Sequence, residues 1–164
     1  MASETFEVAI FIVTAVVAAA ILVSAVFPIV NEATGTFTQT AADADSKERT
    51  KLTIVNTYLS DSDLKVWLKN TGTGRISVAD LNKANFFGGS ETVYTIYSRV
   101  DSAPSNNQWS YSILSGDTAY LNPGDTLEIT AKGGFPEASS GDYAYVSFVL
   151  PNGVRVSGTF APNV

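Results

Sequence analysis

The side chains that could carry out chemistry are few, and they form no recognisable catalytic set. The sequence contains no histidine and no cysteine, which excludes the commonest metal ligand, the best acid–base group near neutral pH, and any disulfide. A serine nucleophile would therefore need a buried lysine as its base. Lys65 and Lys69 are the candidates, but they alternate with apolar residues, which predicts that both lie on the solvent face of a strand.

Two pairs of carboxylates could in principle serve as a general acid and a general base. They are Asp61 with Asp63, and Asp125 with Glu128. Both pairs lie at predicted turns or strand ends, where aspartate is common for backbone reasons alone. Their ordinary interpretation is structural, so the sequence predicts that the protein is not an enzyme.

Motifs for metals and nucleotides are equally weak. Asp43 and Asp45 are separated by one residue, a spacing too short for an EF-hand loop and typical of a solvated acidic patch. The glycines fall between predicted strands, and the sequence has no GxGxxG motif after a strand and no Walker loop. We therefore expect no cofactor, no metal site and no small-molecule substrate.

The charge balance is acidic. Ten lysines and arginines stand against 16 aspartates and glutamates, which gives a formal net charge of −6. Nucleic-acid binding depends on clustered basic residues, and the only such group here is Lys47, Arg49 and Lys51. The sequence therefore predicts no nucleic-acid partner.

Residues 8–31 form an uncharged, mostly apolar segment that is longer than the about 20 residues a helix needs to cross a bilayer. A cleaved signal peptide would have a basic region before a shorter apolar core. Here Glu4 and Glu7 come first, so we expect a helix that stays on the protein. Ser3 is predicted to cap this helix, with both glutamates in its first turn.

The predicted membrane or assembly helix covers residues 1–31. Ala15 with Ala19, and Ala20 with Ser24, have the small-xxx-small spacing that lets helices approach closely, although alanine is common in any apolar helix. The residues expected to contact lipid or neighbouring helices are Val8, Ile12, Ala15, Val16, Ala19, Leu22 and Val30.

Residues 32–50 form a polar connector between this helix and the rest of the chain. Thr, Ala, Asp and Ser dominate it, so it could extend the helix as a stalk or form a loose linker. The basic group at its end would, by the positive-inside rule, place the C-terminal part inside the cell. That group lies about 17 residues beyond the apolar segment, at the limit of the rule's range.

Beyond residue 51 the apolar pattern changes to the short period of β-strands. Eight runs rich in Val, Ile, Thr, Tyr and Phe are separated by glycine, proline and asparagine turns. They are LTIVNTYLS, LKVWLKN, ANFFGG, TVYTIYSRV, QWSYSIL, DTLEITAK, DYAYVSFVL and GVRVSGTF. The pattern predicts that residues 51–164 form an antiparallel, immunoglobulin-like β-sandwich, which follows the hydrophobic α-helix.

Within this domain we predict a tight hairpin at Pro151–Gly153 and an interaction edge. A sandwich has open edges, and an edge strand with few charges can pair with another chain. The favoured candidate is the C-terminal strand Val154–Phe160, represented by Val154, Val156 and Phe160, and the second is the uncharged segment Gln108–Leu114. The alternative is that the C-terminal strand is internal. Trp67 and Trp109 are assigned to the core or the sheet surface.

Several stretches of this domain carry a family resemblance. LKVWLKNTGTGRI and FFGG are similar to a strand-and-turn pattern, xVYVKNTGxxxL, and to the strand after it in archaeal flagellin-like proteins. LNPGDTLEIT and YVSFVLPNGVRVSGTF resemble the closing strands of the same archaellin and type IV pilin-like superfamily. The opening MASETFEVAIFIV resembles the accessory FlaG (ArlG) family of the archaellum rather than the filament archaellins. Archaellins carry a basic leader and a cleavage site before their apolar core, and the stretch before the apolar segment here shows neither.

The resemblance implies a stator or scaffold of the archaellum, anchored in the cell membrane, with an extracytoplasmic β-domain in the pseudoperiplasm. It also implies self-association as a homo-oligomer, and binding to a FlaF-like partner and to other archaellum components. The outside placement overrides the count of basic residues, which lie far from the membrane. Two other functions stay open: an archaellin or pilin-like filament subunit, and a membrane-tethered domain that binds carbohydrate or metal.

Overall fold

The computed structural model describes residues 2–60, 63–90, 93–117, 119–136 and 142–161. Within these ranges the chain forms one long helix, one short helix and ten strands. The chain divides into two compact units, Met1–Ala44 and Asp45–Val164. The predicted fold class, an N-terminal helix followed by a mostly antiparallel β-domain, is confirmed.

Helix α1 spans Ala2–Arg49 without interruption, so the polar connector is helical rather than a loose linker. Four hydroxyls in the connector donate to the carbonyl oxygen four residues earlier, at 2.8 to 3.0 Å; they belong to Thr34, Thr36, Thr38 and Thr40. These bonds satisfy the hydroxyls within the helix itself. The predicted cap is wrong, because the helix begins at Ala2, which places Ser3 inside it and leaves only Glu4 in the first turn.

The β-domain contains all eight predicted strands. The strands are β1 Leu52–Ser60, β2 Asp63–Asn70, β3 Ile76–Ser77, β4 Asn85–Ser90, β5 Tyr94–Arg99, β6 Gln108–Ile113, β7 Tyr120–Leu121, β8 Thr126–Lys132, β9 Ala144–Val149 and β10 Arg155–Phe160. The short elements β3, β7 and the helix α2 (Val78–Asn82) were not predicted. Ser77 caps α2 by accepting a hydrogen bond from the Asp80 backbone at 3.1 Å.

The eight long strands form one sheet in the order β1-β2-β8-β6-β5-β4-β9-β10, and β3 pairs with β7. All pairs are antiparallel except β5 with β6, which are parallel over two residues. The sheet folds over at that short parallel contact into two halves that face each other as a sandwich. Strands β1 and β10, at its two ends, come close to each other, so the sandwich is nearly closed.

The core lies between the two halves of the sheet. On β2 the alternation is as predicted, because Leu64, Val66 and Leu68 are buried, whereas Lys65 and Lys69 are exposed and Trp67 is half-buried. Trp109 of β6 is completely buried, and its ring lies 5.9 Å from that of Phe86 and 5.7 Å from that of Phe148, on the opposite half. These ring contacts join the two halves of the sandwich.

The turn Asn70–Gly74 holds the last residues of α1 against the β-domain. The backbone N–H groups of Thr73 and Gly74 both donate to the carbonyl oxygen of Arg49, at 3.0 Å. A Cβ atom on Gly72 would lie 2.2 Å from that same oxygen, so only glycine fits there. The side chain of Asn70, fully buried, donates to the Gly74 carbonyl at 2.9 Å and fixes the turn. The turn therefore caps the C-terminus of the helix.

The predicted hairpin between the last two strands is confirmed. The Gly153 N–H donates to the Leu150 carbonyl at 2.9 Å, and Gly153 has a φ of 82°. This is a type I turn followed by a left-handed residue, a common three-residue hairpin loop. Gly88 and Gly89, which were also expected at a turn, instead lie inside β4. Gly88 leaves room for the ring of Phe135, whose Cε1 would lie 2.7 Å from a Cβ at that position.

Burial of one phenol predicts a loss of stability at alkaline pH. Tyr97 is buried, donates to the Gly133 carbonyl, and has its pKa raised by burial to about 12. The contribution of the neutral Tyr97 phenol to the free energy of unfolding is fully present below pH 10, the pKa of an unfolded tyrosine. This contribution is lost as the pH rises towards 12. Between those values we expect the free energy of unfolding to fall by about 1.4 kcal/mol per pH unit more steeply than in Tyr97→Phe. Urea unfolding of both proteins at pH 9 to 12 measures this difference, and parallel pH dependences would contradict it.

Candidate membrane anchor and interaction surfaces

The predicted contact residues of the N-terminal helix share one face. With 3.6 residues per turn, all seven side chains fall within an arc of about 120°. They are Val8, Ile12, Ala15, Val16, Ala19, Leu22 and Val30. Every one of them is exposed, and Val16 is 64% accessible. The helix therefore places these residues on a single exposed apolar surface.

Among the described residues, α1 is the one helix long and apolar enough to cross a membrane. The single hydroxyl in the first half of its apolar segment, that of Thr14, donates to the Ile10 carbonyl at 2.8 Å. Such a bond satisfies a polar group without water. Pro28 lies inside the helix and removes one backbone donor near the end of the apolar segment.

Most of the lysines and carboxylates considered for catalysis are engaged in surface contacts. Lys65 pairs with Glu128 at 3.3 Å, and the same carboxylate accepts from Trp67 Nε1 at 2.9 Å. Lys132 pairs with Asp63 at 3.3 Å. Lys69 is exposed, and Asp61 lies outside the described residues. Within the part of the chain that the structure describes, no three acidic side chains come close enough to hold a metal ion.

Two aspartates hold the loop that precedes β8. Asp125 accepts from the Ser115 hydroxyl at 2.9 Å and from the Asn122 backbone at 3.0 Å. Asp117 accepts from the backbone N–H of Ala119 at 2.8 Å, and this bond is the main reason why the pKa of its carboxyl is lowered. Both carboxylates therefore act in backbone turns, as aspartate does in many loops.

The candidate interface strand lies at the edge of the sheet. Strand β10 pairs with β9 alone, whereas β6 lies between β8 and β5. The second candidate edge, Gln108–Leu114, is therefore wrong. The side chains of Val154, Val156 and Phe160 are half-buried and pack against the core. The apolar side chains of β10 therefore belong to the domain, and the edge of the sheet at β10 consists of backbone groups.

The seam between β10 and β1, the other edge strand, is partly filled. No backbone hydrogen bond joins the two strands among the described residues. The Ile54 side chain of β1 crosses the seam, and its Cδ1 would lie 2.8 Å from a Cβ on Gly158. Strand β1 also carries a register shift after Ile54, which is typical of an edge protected against pairing.

A second surface was not predicted, and we call it the aromatic face. It consists of the outward side chains of the half-sheet β5-β4-β9-β10 and comprises Phe87, Tyr94, Ile96, Tyr145 and Arg155. The rings of Phe87 and Tyr94 stack at 5.7 Å, and those of Tyr94 and Tyr145 meet at 5.3 Å. An open groove of about 530 Å³ runs between these rings and Arg155.

Arg155 is held at one side of the aromatic face by neutral groups. Its Nε donates to Ser147 Oγ at 2.8 Å, and another guanidinium nitrogen donates to the Tyr145 hydroxyl. Burial raises the pKa of Tyr94. Burial alone would also raise the pKa of Tyr145, but hydrogen bonds from Ser157 and Arg155 and the charge of Arg155 lower it overall. The groove thus combines apolar rings with one positive charge.

The aromatic face was missed because its members come from four strands whose pairing the sequence does not reveal. Gly89 of β4 lies opposite Tyr94 on one side and Tyr145 on the other, so the two rings meet above a residue without a side chain. One signal was available, since DYAYVSFVL carries tyrosine at the alternate positions 143 and 145, and TVYTIYSRV carries Tyr94 and Ile96 at alternate positions.

Comparisons with known proteins agree with this architecture. The archaeal-type flagellin family model matches residues 2–160. An uncharacterized protein of Archaeoglobus fulgidus is 25% identical over 166 residues, which cover 98% of this chain and 99% of that protein.

Two kinds of solved structure are similar. The archaellum periplasmic stator protein FlaG from Sulfolobus acidocaldarius is 26% identical with a TM-score of 0.55, and the match covers 68% of this chain and 99% of that one. A chain of the archaellum periplasmic stator protein complex FlaF and FlaG from the same organism matches with the same identity and TM-score, over 68% of this chain and 89% of that one. The archaeal flagellum of Methanospirillum hungatei strain JF1 matches in fold, with a TM-score of 0.69 over 96% of this chain and 93% of that one, at 17% identity.

Proposed function

Because the chain belongs to the archaeal-type flagellin family, we propose that it is a membrane-anchored structural component of the archaellum, with a stator or scaffold role. In this proposal residues 1–31 anchor the protein in the cell membrane and residues 32–50 act as a stalk. Residues 51–164 form a β-domain outside the cytoplasmic membrane that binds a FlaF-like partner and self-associates. The homologues are structural components, and the protein is proposed to have no enzymatic activity.

The proposal rests on two features that occur in the same chain, a FlaG-like β-domain and a long apolar helix. The β-domain resembles the stator FlaG at 26% identity, and it follows a helix whose apolar segment has the length of a membrane span. The exposed apolar face of that helix would be unfavourable in water and favourable in lipid. Interaction surfaces on the β-domain, rather than a catalytic site, then account for the function.

Cell fractionation tests the stator role. Archaella are sheared from cells that express the tagged full-length protein, and filaments and membranes are separated and probed for the tag. We expect the protein in the membrane fraction and its tagged β-domain to be accessible to protease from outside the cell. Recovery in the sheared filaments in the same proportion as the archaellin would contradict the stator role.

A filament subunit is the second candidate, and one observation favours it. The likeness to the Methanospirillum hungatei flagellum includes the helix together with the β-domain, although at 17% identity it concerns the fold alone. Mass spectrometry of the native N-terminus separates the two functions. Removal of residues by a prepilin peptidase would favour the filament subunit, and an intact Met1 or Ala2 would favour the stator.

The backbone of β10 is the proposed contact for the partner domain. The Leu150 N–H donates to the Val154 carbonyl at 2.9 Å, which makes this a hydrogen-bonded pair. Bonded and non-bonded pairs alternate along an antiparallel ladder. The register therefore turns the N–H of Val156 towards β9 and the N–H of Ser157 away from it. An added strand would pair with backbone groups that point away from β9, such as the N–H of Ser157.

The substitution Ser157→Pro is expected to weaken partner binding without unfolding the domain. Proline removes a donor that β9 does not use, and edge strands tolerate proline at such positions. We expect binding of the full-length protein in nanodiscs to the soluble domain of its FlaF-like partner to weaken at least about tenfold, the equivalent of one hydrogen bond and its neighbours. Biolayer interferometry measures the affinity.

The matched control is Val156→Pro, one residue earlier. It removes a donor to β9 and is expected to lower the thermal midpoint of unfolding, because proline inside a hydrogen-bonded ladder removes one hydrogen bond and introduces a steric clash. If Ser157→Pro folds normally and binds its partner as tightly as the wild type, β10 is not the contact.

A further inference from the structure

The aromatic face has the composition of a protein interface. The cores of such interfaces are rich in tyrosine, phenylalanine and arginine and poor in lysine, aspartate and glutamate. Strands β4, β5, β9 and β10 contain no lysine, aspartate or glutamate. Strands β2 and β8, in the other half of the sheet, carry both signs of charge. The two halves of one domain thus differ in the kind of surface that they present.

Among the described residues, no carboxylate neutralises Arg155, the charged residue of the aromatic face. Elsewhere on the domain Arg99 pairs with Asp101 at 2.7 Å, Lys65 with Glu128 and Lys132 with Asp63. For Arg155 the described residues supply only a serine and a tyrosine hydroxyl. A guanidinium bound to neutral oxygens beside a groove retains donors that a carboxylate could accept in a bidentate manner.

A second copy of this chain fits the face poorly. A two-fold contact places the same patch on both subunits, so it would bring two Arg155 side chains together without an acidic residue from these strands between them. Like charges in such a contact are unfavourable. The charge pattern therefore favours a different chain that provides a carboxylate.

We propose that the aromatic face is a docking site for a peptide segment of another protein, in which an apolar or aromatic side chain enters the groove beside Tyr94 and an acidic side chain pairs with Arg155. Tyr94 and Tyr145 supply the rigid apolar walls, and Arg155 selects segments with a carboxylate over those without one. The site uses side chains on the outer face of the half-sheet, whereas the proposed partner contact uses outward backbone groups of β10; the two adjoin, because the Ser157 side chain hydrogen-bonds Tyr145. The inference takes from the proposed function only the idea that the β-domain binds protein.

The test uses two short peptides that differ in one group. The probes are acetyl-Val-Phe-Asp-Val-amide and the same peptide with asparagine in place of aspartate, and saturation-transfer NMR measures their affinity for the full-length protein in nanodiscs of neutral lipid. We expect the aspartate peptide to bind about fivefold more tightly at low salt, as for a partly exposed ion pair, and this preference to shrink as salt is added.

Four substitutions locate the effect. Tyr94→Ala should weaken the binding of both peptides, whereas Tyr58→Ala should leave both affinities unchanged. Tyr58 is the control because it is a strand tyrosine outside the aromatic face with similar exposure, 47% against 51% for Tyr94. Arg155→Gln should abolish the preference for aspartate, and Arg155→Lys should keep part of it, since the charge remains and the bidentate geometry is lost. Thermal midpoints establish that each variant is folded.

Equal affinity of the two peptides, or an equal loss in Tyr94→Ala and Tyr58→Ala, would overturn the proposal. Binding of maltotriose at the same rings with no peptide binding would assign the face to a glycan instead. Loss of self-association in Tyr94→Ala, with no peptide binding, would assign it to a second copy. These measurements need no archaellum, so their failure is distinguishable from failure of the proposed stator role.

Discussion

The substitution Val16→Arg is expected to release the protein from the membrane. Val16 lies near the middle of the apolar segment on the shared contact face of α1, and it is 64% exposed. A charge at the centre of a spanning helix costs about 2.5–3.5 kcal/mol on insertion scales. Because the chain offers one helix that could span the bilayer among its described residues, nothing else in that part of the structure would compensate. Membrane and soluble fractions, compared by immunoblot, measure the release.

The matched control is Gln39→Arg, which places the same charge on the polar, exposed part of the same helix. It is expected to remain in the membrane fraction as the wild type does. If Val16→Arg is retained and assembled as well as Gln39→Arg, the apolar segment is not the anchor.

The substitution Gly72→Ala is expected to destabilise the β-domain by at least about 3 kcal/mol, the upper part of the range for overpacking. The added Cβ would lie 2.2 Å from the Arg49 carbonyl oxygen and 2.6 Å from the Lys51 nitrogen. Both are backbone atoms, so no flexible side chain can move aside. Urea unfolding of the full-length protein, followed by the fluorescence of the buried Trp109, measures the loss.

Gly35→Ala is the control for this substitution. No atom lies within 4 Å of a Cβ at position 35, and alanine in a helix is favoured over glycine by about 1 kcal/mol. The urea midpoint of the β-domain should therefore not fall. A Gly72→Ala protein that unfolds at the wild-type midpoint would mean that the turn and the helix end are not in the contact described.

The elements of the fold could be predicted from the sequence because their signals are local. The uncharged run from Val8 requires a long helix, the alternation around Val66 indicates a half-buried strand, and Pro151–Gly153 indicates a hairpin. Strands β3 and β7 could not be predicted, since two residues carry no period. The Ser77 cap of α2 was present in the sequence, but a helix of five residues has too little pattern to recognise.

The arrangement of the strands lay beyond the sequence. Alternation tells which face of a strand is buried and does not tell which strand is its neighbour, so Gln108–Leu114 was placed at an edge although β6 is internal. The same limit concealed the aromatic face, where Tyr94 and Tyr145 meet across Gly89. For Val154–Phe160 the sequence left two alternatives, an edge strand, which was slightly favoured, and an internal strand. The strand order places β10 at an edge of the sheet.

The turn Asn70–Gly74 holds the end of α1 mainly through backbone groups and not through side chains. Thr71 and Gly72 donate to the Lys51 carbonyl, as Thr73 and Gly74 do to that of Arg49, so tension on the helix end is shared by four peptide N–H groups. Peptide groups are the same in every residue, so most side chains at this joint can change during evolution without weakening it. The Asn70 amide and the bare α-carbon of Gly72 are tied to a residue type, and Gly74 has little room for a side chain because a Cβ there would lie 3.2 Å from the Arg49 Cβ. A joint of this kind can therefore keep its hydrogen bonds while most of its side chains change.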